Sequence, residues 1–312
     1  MAALTLSLVV PVYNEEESLQ HFLQRIDRVF QSEAVTLDIV FVNDGSTDAT
    51  LAHLLLHQQR DRRIRVLDLS RNFGKEAALT AGLAHARGDV VVPLDVDLQD
   101  PPELIHVMIE KWREGHEVVL ARRVNRKSDS WAKRMSAAWF YRVHNRISPM
   151  ALPENVGDFR LMDRKVVDTL GSLPESHRFM KGLFAWVGFR TTFVDYERPE
   201  RVAGNSKFSG WRLWNFGLEG ITSFTTVPLR VWTYCGLAVS ILSLVYAVFI
   251  TTRVVIHGVD VPGYASIMVA IMFLGGLQLI GIGVLGEYLG RTYMESKRRP
   301  VYLIRQQYEA GD

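Results

Sequence analysis

The stretch PLDVDLQDPPE, Pro93 to Glu103, carries four carboxylates, three of them between Asp95 and Asp100, directly after the apolar run GDVVV. Like charges at this density repel one another unless something positive sits among them. Read as extended chain, Asp95, Asp97 and Gln99 point to one side, because strand side chains alternate. Three oxygen-bearing groups on one side suit a hard cation, Mg²⁺ or Mn²⁺. Mg²⁺ takes one or two carboxylates and fills its shell with water and phosphate oxygens, so the pattern points to a diphosphate ligand. Asp100 reads differently. Followed by Pro101, Pro102 and Glu103, it has the signature of a helix start with Asp100 as N-cap.

Such carboxylates need a frame. SLVVPVY, DIVFVNDGS, RIRVLDLS, GDVVVPLDVD and HEVVLARR read as strands, and EEESLQHFLQRIDRVF, EAALTAGLAHAR and PPELIHVMIEKWREG as helices. This alternation, with strands rich in Val, Ile and Leu, predicts an α/β domain over 1–205 with a mostly parallel, Rossmann-like sheet covered on both faces. Ligands of such sheets bind beyond the carboxyl ends of the strands. At those ends stand Pro11, Tyr13, Asn14 and Glu15; Asn43, Asp44 and Gly45; Arg71, Asn72, Gly74 and Lys75; Asp95 and Asp97; and Arg122 and Arg123. The N-terminus lacks a basic leader and a cleavage signal, and is expected to be the first buried strand of a cytoplasmic domain.

Of 312 residues, 48% are hydrophobic, enough for a sizeable core, and a net charge of only +2 gives no argument for nucleic acid. The single cysteine, Cys235, excludes a disulfide framework within the chain and is expected to be a small buried hydrophobe.

Two apolar runs, about 229–252 and 264–286 within a segment 228–290, are each long enough to cross a bilayer core. Basic residues flank the pair (Arg212 and Arg230 before, Arg291, Lys297, Arg298, Arg299 and Arg305 after), while the link offers only Arg253, so both chain ends are expected in the cytoplasm. Before the first run, Trp211, Trp214, Leu218 and Ile221 fall on one helical face, predicting an interfacial helix over 206–227. The remainder, 291–312, reads as a basic tail, either on anionic headgroups or solvated. Gly281, Gly283 and Gly286 spell GxGxxG, but no strand precedes them. They read as helix-packing positions rather than a dinucleotide fingerprint.

The motifs PVYNEEES, VNDGSTD, RNFGKEAALTAGL and DVDLQDPPE resemble family 2 glycosyltransferases of the GT-A fold. ENVGDFRLMDR, RVAGNSKFSGW, the two apolar runs and GVLGEYLGRTY resemble the polyprenyl-phosphate branch, the bactoprenol glucosyltransferases of bacteria and phages, related to dolichyl-phosphate mannose synthases. The resemblance covers essentially the whole chain. It implies a nucleotide site at Pro11, Tyr13, Glu15, Asp44, Lys75 and Asp95, with the first four on the nucleoside, and metal and diphosphate at Asp95, Asp97 and Gln99. It implies Asp158 at the reacting centre beside Asp97, and Arg122, Arg201 and Lys207 on the acceptor or donor phosphates.

The implied reaction is inverting transfer of glucose from UDP-glucose to undecaprenyl phosphate at the inner membrane, with Mg²⁺ or Mn²⁺ as cofactor. Aminoarabinose, mannose and N-acetylglucosamine remain alternative sugars, and a tethered nucleotide-sugar-binding protein without turnover is the alternative from another class. A phosphate monoester has a second pKa of about 6, so it is mostly a nucleophile at pH 7 and Asp158 need not be an obligatory base. His177 and Arg178, before FMKGLF, read as helix-start residues. The sequence leaves room for a homo-oligomer.

Overall fold

The computed structural model describes residues 4–31, 35–124, 153, 155–176, 178–197, 225–258 and 263–309. In chain order the elements are β1 (Leu4–Val12), α1 (Leu19–Phe30), β2 (Val35–Asn43), α2 (Thr50–Arg60), β3 (Ile64–Leu69), α3 (Lys75–His85), β4 (Val90–Pro93), α4 (Leu104–Arg113) and β5 (Val118–Arg123). There follow β6 (Val156–Asp163), α5 (Arg164–Ser172), α6 (Met180–Trp186), β7 (Thr191–Tyr196), α7 (Val227–His257), α8 (Tyr264–Ser296) and β8 (Ile304–Tyr308).

The strands form one sheet in the order β7-β5-β6-β4-β1-β2-β3-β8. β1 pairs in parallel with β2 and β4, β2 with β3, and β5 with β7, while β6 and β8 run against their neighbours. β1 shows why both faces are covered. Leu6, Leu8 and Val10 pack with Phe22 and Ile26 of α1 and Ile105 and Met108 of α4. Val9, turned the other way, packs with Leu79 and Leu83 of α3 and Met180 and Leu183 of α6. Each such side chain withdrawn from water contributes about 1.5–3 kcal/mol. The expected mostly parallel α/β sheet is therefore present, and the five strands and three helices expected up to residue 123 are found.

Several expectations give way. β4 stops at Pro93, so Asp95–Gln99 is a turn rather than extended chain: Leu98 N–H donates to Asp95 O at 3.3 Å with Leu98 at φ 52°. α4 begins at Leu104 with Glu103 at the N-cap. Asp100 is buried one turn earlier, where it accepts from the Tyr196 hydroxyl at 2.5 Å. The segment VGDFRLMD, absent from the strands read in the sequence, is the antiparallel strand β6. Of the two expected helix-start residues, His177 lies outside the described residues, and Arg178 stands two positions before α6, its guanidinium donating to the carbonyls of Leu170, Leu173 and Glu175.

Part of the expected basic tail is a strand of the sheet. Residues Ile304–Tyr308 return to the sheet and pair antiparallel with β3. The Arg305 guanidinium there lies 3.3 Å from Asp68, a carboxylate that is 2% exposed.

α7 and α8 are longer than the expected spans, with apolar windows Leu229–His257 and Val269–Ser296 of mean hydropathy 2.1. Almost none of either window is buried within the chain, so a continuous apolar surface faces outward. Cys235 is exposed there with its neighbours, not buried. Of the three glycines, Gly281 is the packing position: a Cβ there would lie 1.8 Å from Trp232 Nε1, whereas among the described residues nothing comes within 4 Å of one at Gly283 or Gly286. The expected interfacial helix, 206–227, lies outside the described residues except for its last three.

Candidate active site

The carboxyl ends of β1 to β4 enclose a cleft of about 330 Å³. Pro11, Tyr13, Glu15, Asp44, Lys75, Asp95 and Asp97 all line it, so the residues expected at a nucleoside and diphosphate site are brought together, with Asn72 and Gly74 among them.

Local sequence explains each position. Asn14 adopts φ 54°, a left-handed conformation that Asn tolerates, and its Oδ1 accepts from Thr47 N–H at 2.8 Å. Glu15 N–H donates to the Thr50 hydroxyl at 2.9 Å, which ties the loop after β1 to the start of α2. Tyr13 is left 47% exposed, a ring face open to a planar ligand. Gly45 stands at φ 65°, and a Cβ on it would lie 2.5 Å from the backbone of Arg71 and Asn72. That close approach seats Asp44, whose two oxygens accept from the amides of Phe73 (2.7 Å) and Gly74 (2.9 Å). Burial raises the Asp44 pKa above the usual carboxylate range, against the pull of those amides. Asp44 thus builds the loop that leads into α3 as well as lining the cleft.

Lys75, the first residue of α3, occupies the centre. Its Nζ lies 2.7 Å from Asp95 Oδ1 and 3.1 Å from Asp158 Oδ2. The cleft walls work against its charge, but Asp158 and Asp95 outweigh them and hold Lys75 above an ordinary lysine. Burial likewise works against the Asp158 carboxylate, and Lys75, Lys181 and Arg160 together hold its pKa below the usual value. Asp95 is shifted the other way, upward, by burial, with Lys75 opposing. Among the described residues Asp158 Oδ1 is buried without a hydrogen-bond partner.

Asp97 remains at the cleft, with Gln99 folded against it. Gln99 Nε2 donates to Asp97 Oδ2 at 2.6 Å. Gln99 therefore holds Asp97 here rather than standing beside it as an equal. Among the described residues no set of three His, Cys, Asp or Glu side chains could hold a metal ion. Two carboxylates, Asp95 and Asp97, are nevertheless a fitting donor set for a cation that keeps water and takes phosphate oxygens as its other ligands.

Arg122 does not line the cleft. Its guanidinium pairs with Asp195 at 2.7 Å and lies 4.9 Å over the Phe193 ring, on the exposed side of β5 and β7. Arg201 and Lys207 lie outside the described residues.

Three charged residues escaped the sequence reading. Arg160 is 4% exposed and stacks 3.9 Å over Phe184; burial lowers its pKa to about 10, against the pull of Asp158 and Glu76. Its signal was alternation: Arg160 shares a face of β6 with Asp158. Glu76, next to Lys75, accepts from the Met180 amide at 3.2 Å, and burial, with Asp158 nearby, pushes its pKa up to about 7. Lys181 acts on both Glu76 and Asp158, and nothing local in the sequence marked it.

Known proteins carry the same combination. Residues 7–171 match the model for glycosyl transferase family 2, and residues 227–292 the model for the GtrB C-terminal hairpin. The chain is 54% identical over 299 residues to an uncharacterized glycosyltransferase of Synechocystis, covering 96% of this chain and 94% of that one. It is 54% identical over 300 residues to the bactoprenol glucosyl transferase of Shigella phage SfV, and 52% identical over 300 residues to a prophage bactoprenol glucosyl transferase homolog of Escherichia coli. Each comparison covers 96% of this chain and 98% of the relative. Among solved structures, mannosyl-3-phosphoglycerate synthase of Rubrobacter xylanophilus superimposes with a TM-score of 0.50 at 19% identity, over 69% of this chain and 71% of that one, a likeness of fold. With more than half its length matched by the family model and near full-length relatives above half identity, the chain belongs to glycosyltransferase family 2.

Proposed function

We propose that the protein transfers glucose from UDP-glucose to undecaprenyl phosphate, with inversion, on the cytoplasmic face of the bacterial inner membrane. One observation carries this reading: the carboxylate cleft and the apolar hairpin belong to one body. The end of α8 is fastened to the catalytic domain where Glu295 accepts from the Ser176 amide at 3.0 and 3.1 Å, and β8 then returns to the sheet. β1 and β8, the first and last strands among the described residues, belong to that sheet, in keeping with two spans that leave and re-enter the same side. The names of the relatives agree with a bactoprenol acceptor and a glucosyl group.

Tyr13, Glu15 and Asp44 would receive the nucleoside, and Asp95 and Asp97 would hold Mg²⁺ or Mn²⁺ against the donor diphosphate. When bound, the cation supplies positive charge to the departing diphosphate. Lys75 adds a second positive group at the same place and keeps Asp95 and Asp158 from repelling each other. Asp158, held ionised by Lys75, Lys181 and Arg160, is a weak base. It suits orienting the acceptor phosphate, through a donor that reaches the buried Oδ1, better than removing a proton from it. Arg201 and Lys207 are assigned to the phosphates by resemblance alone. The hairpin, read as two membrane spans, would hold the cleft near a bilayer, where a long-chain acceptor is concentrated.

The test is a donor panel. Detergent-purified protein is given undecaprenyl phosphate, Mg²⁺ or Mn²⁺, and separately labelled UDP-glucose, UDP-N-acetylglucosamine, GDP-mannose and UDP-aminoarabinose. Label in the lipid phase from UDP-glucose is the expected result. Label from another donor alone would replace the sugar, and label from none would remove the lipid acceptor.

A further inference from the structure

A second cavity, about 900 Å³, lies away from the carboxylate cleft, between the link joining α5 to α6 and the end of α8. Glu175, Arg178, Arg291, Glu295, Arg298 and Arg299 line it, four guanidiniums to two carboxylates. Three of these six charges are engaged. Arg178 donates to three carbonyls, Arg291 pairs with Glu287 at 3.0 Å, and Glu295 accepts from Ser176. Among the described residues the side chains of Arg298 and Arg299 have neither hydrogen bond nor ion pair, although both residues border the cavity.

The backbone marks the same place. Arg298 stands at φ 47°, just past the end of α8, where helices commonly end on a glycine. An arginine in this left-handed position is unfavourable for the fold, and strain of this kind concentrates where a side chain is needed. α8 is also long and apolar enough to cross a bilayer, so the charged residues that follow it belong at headgroup depth.

We propose that this cavity is a phosphate site for the headgroup of a membrane lipid, with Arg298 and Arg299 supplying its free charge. Arginine suits phosphate because its fork presents paired donors to two oxygens. The position is connected to the cleft. Arg178, on the cavity wall, lies two residues before Met180, whose amide donates to Glu76 beside Lys75. A lipid phosphate seated here is one short segment away from the reacting centre. The inference rests on the reading of the chain as membrane-bound but requires no sugar transfer.

Native mass spectrometry of the full-length protein in mild detergent tests it. Phosphatidylglycerol and undecaprenyl phosphate are the probes, with phosphatidylcholine and inorganic phosphate as controls. Wild type is expected to retain a phosphate-monoester or anionic phospholipid at least about tenfold better than Arg298→Gln/Arg299→Gln. Arg298→Lys/Arg299→Lys should keep most of the retention, and raising salt should weaken it in wild type without any mutation. Retention of both probes marks a general anionic-lipid site, and retention of undecaprenyl phosphate alone marks a docking place for the acceptor; both outcomes support the proposal. Equal retention by wild type and the Gln variant would overturn it. So would displacement of the lipid by inorganic phosphate at equal concentration. Because no donor is present, failure here leaves the transfer reading untouched, and failed transfer leaves this site standing.

Discussion

Lys75 Nζ lies 3.1 Å from Asp158 Oδ2 while also touching Asp95, so one ammonium on α3 joins the turn after β4 to strand β6. A cation approaching Asp95 therefore meets a competitor already in place. Removing the ammonium with Lys75→Met should tighten Mn²⁺ binding to nucleotide-free protein, by about tenfold, measured by the paramagnetic resonance of free Mn²⁺. Transfer should fall at least a hundredfold, because the positive group near the diphosphate is lost. Unchanged Mn²⁺ affinity would show that Lys75 and the cation do not share Asp95.

Glu76 gives a pH dependence of stability. Its pKa is about 7 in the fold against 4.5 for an ordinary Glu, chiefly through burial. The folded state thus holds a proton that the unfolded chain has released between these values. Stability from this group is complete below about pH 4.5 and is lost as pH rises through about 7. Thermal unfolding of Glu76→Gln should lack that decline, and at pH 8 the variant should match or exceed wild type. A wild-type melting temperature that climbs steadily from pH 5 to 8, with the variant in parallel, would contradict the assignment.

The returning strand β8 should matter to the catalytic domain. Asp68 accepts from the Asn43 amide at 2.7 Å and has Arg305 as its charged partner. Arg305 is itself 59% exposed, so Arg305→Ala should cost only about 1 kcal/mol. Deleting 304–312 should cost more, since it bares the edge of β3. Hydrogen exchange at the amides of Val66 and Asp68, which face β8, should accelerate in the deletion and barely change in Arg305→Ala.

In the hairpin, Gly281→Leu should force α7 and α8 apart, because even a Cβ would strike the Trp232 ring. Gly283→Leu, where there is open space, is the matched control. Trp232 emission or a disulfide engineered across the helices should change in the first variant and not in the second.

The cleft was legible in the sequence because it rests on local signals. Strand ends are marked where apolar runs meet polar residues, and Pro11, Tyr13, Glu15, Asp44, Lys75, Asp95 and Asp97 all sit at such ends. What escaped depends on contacts distant in sequence. Asp158 and Lys75 are 83 positions apart and meet only because β6 inserts antiparallel between β4 and β5. The mostly parallel sheet that was expected came without that strand among its five named ones. β8 escaped because IRQQY has little apolar character; its pairing comes from the open edge of β3. Arg122 was misplaced because a basic residue at a strand end looks the same whether it turns to the cleft or, as here, to Asp195. Cys235 was expected to be buried because an apolar run reads alike in a protein core and on a lipid-facing helix.

The central claim is that Asp95 and Asp97 hold the cation that carries the donor diphosphate to a lipid phosphate. Its most direct measurement is the rate at which label from UDP-glucose enters undecaprenyl phosphate in wild type and in Asp97→Ala, with and without a chelator. The account predicts a wild-type rate abolished by chelation and a loss in Asp97→Ala of about a thousandfold, with the folded state unchanged. Lipid labelling that persists in Asp97→Ala, or that ignores the chelator, would contradict it.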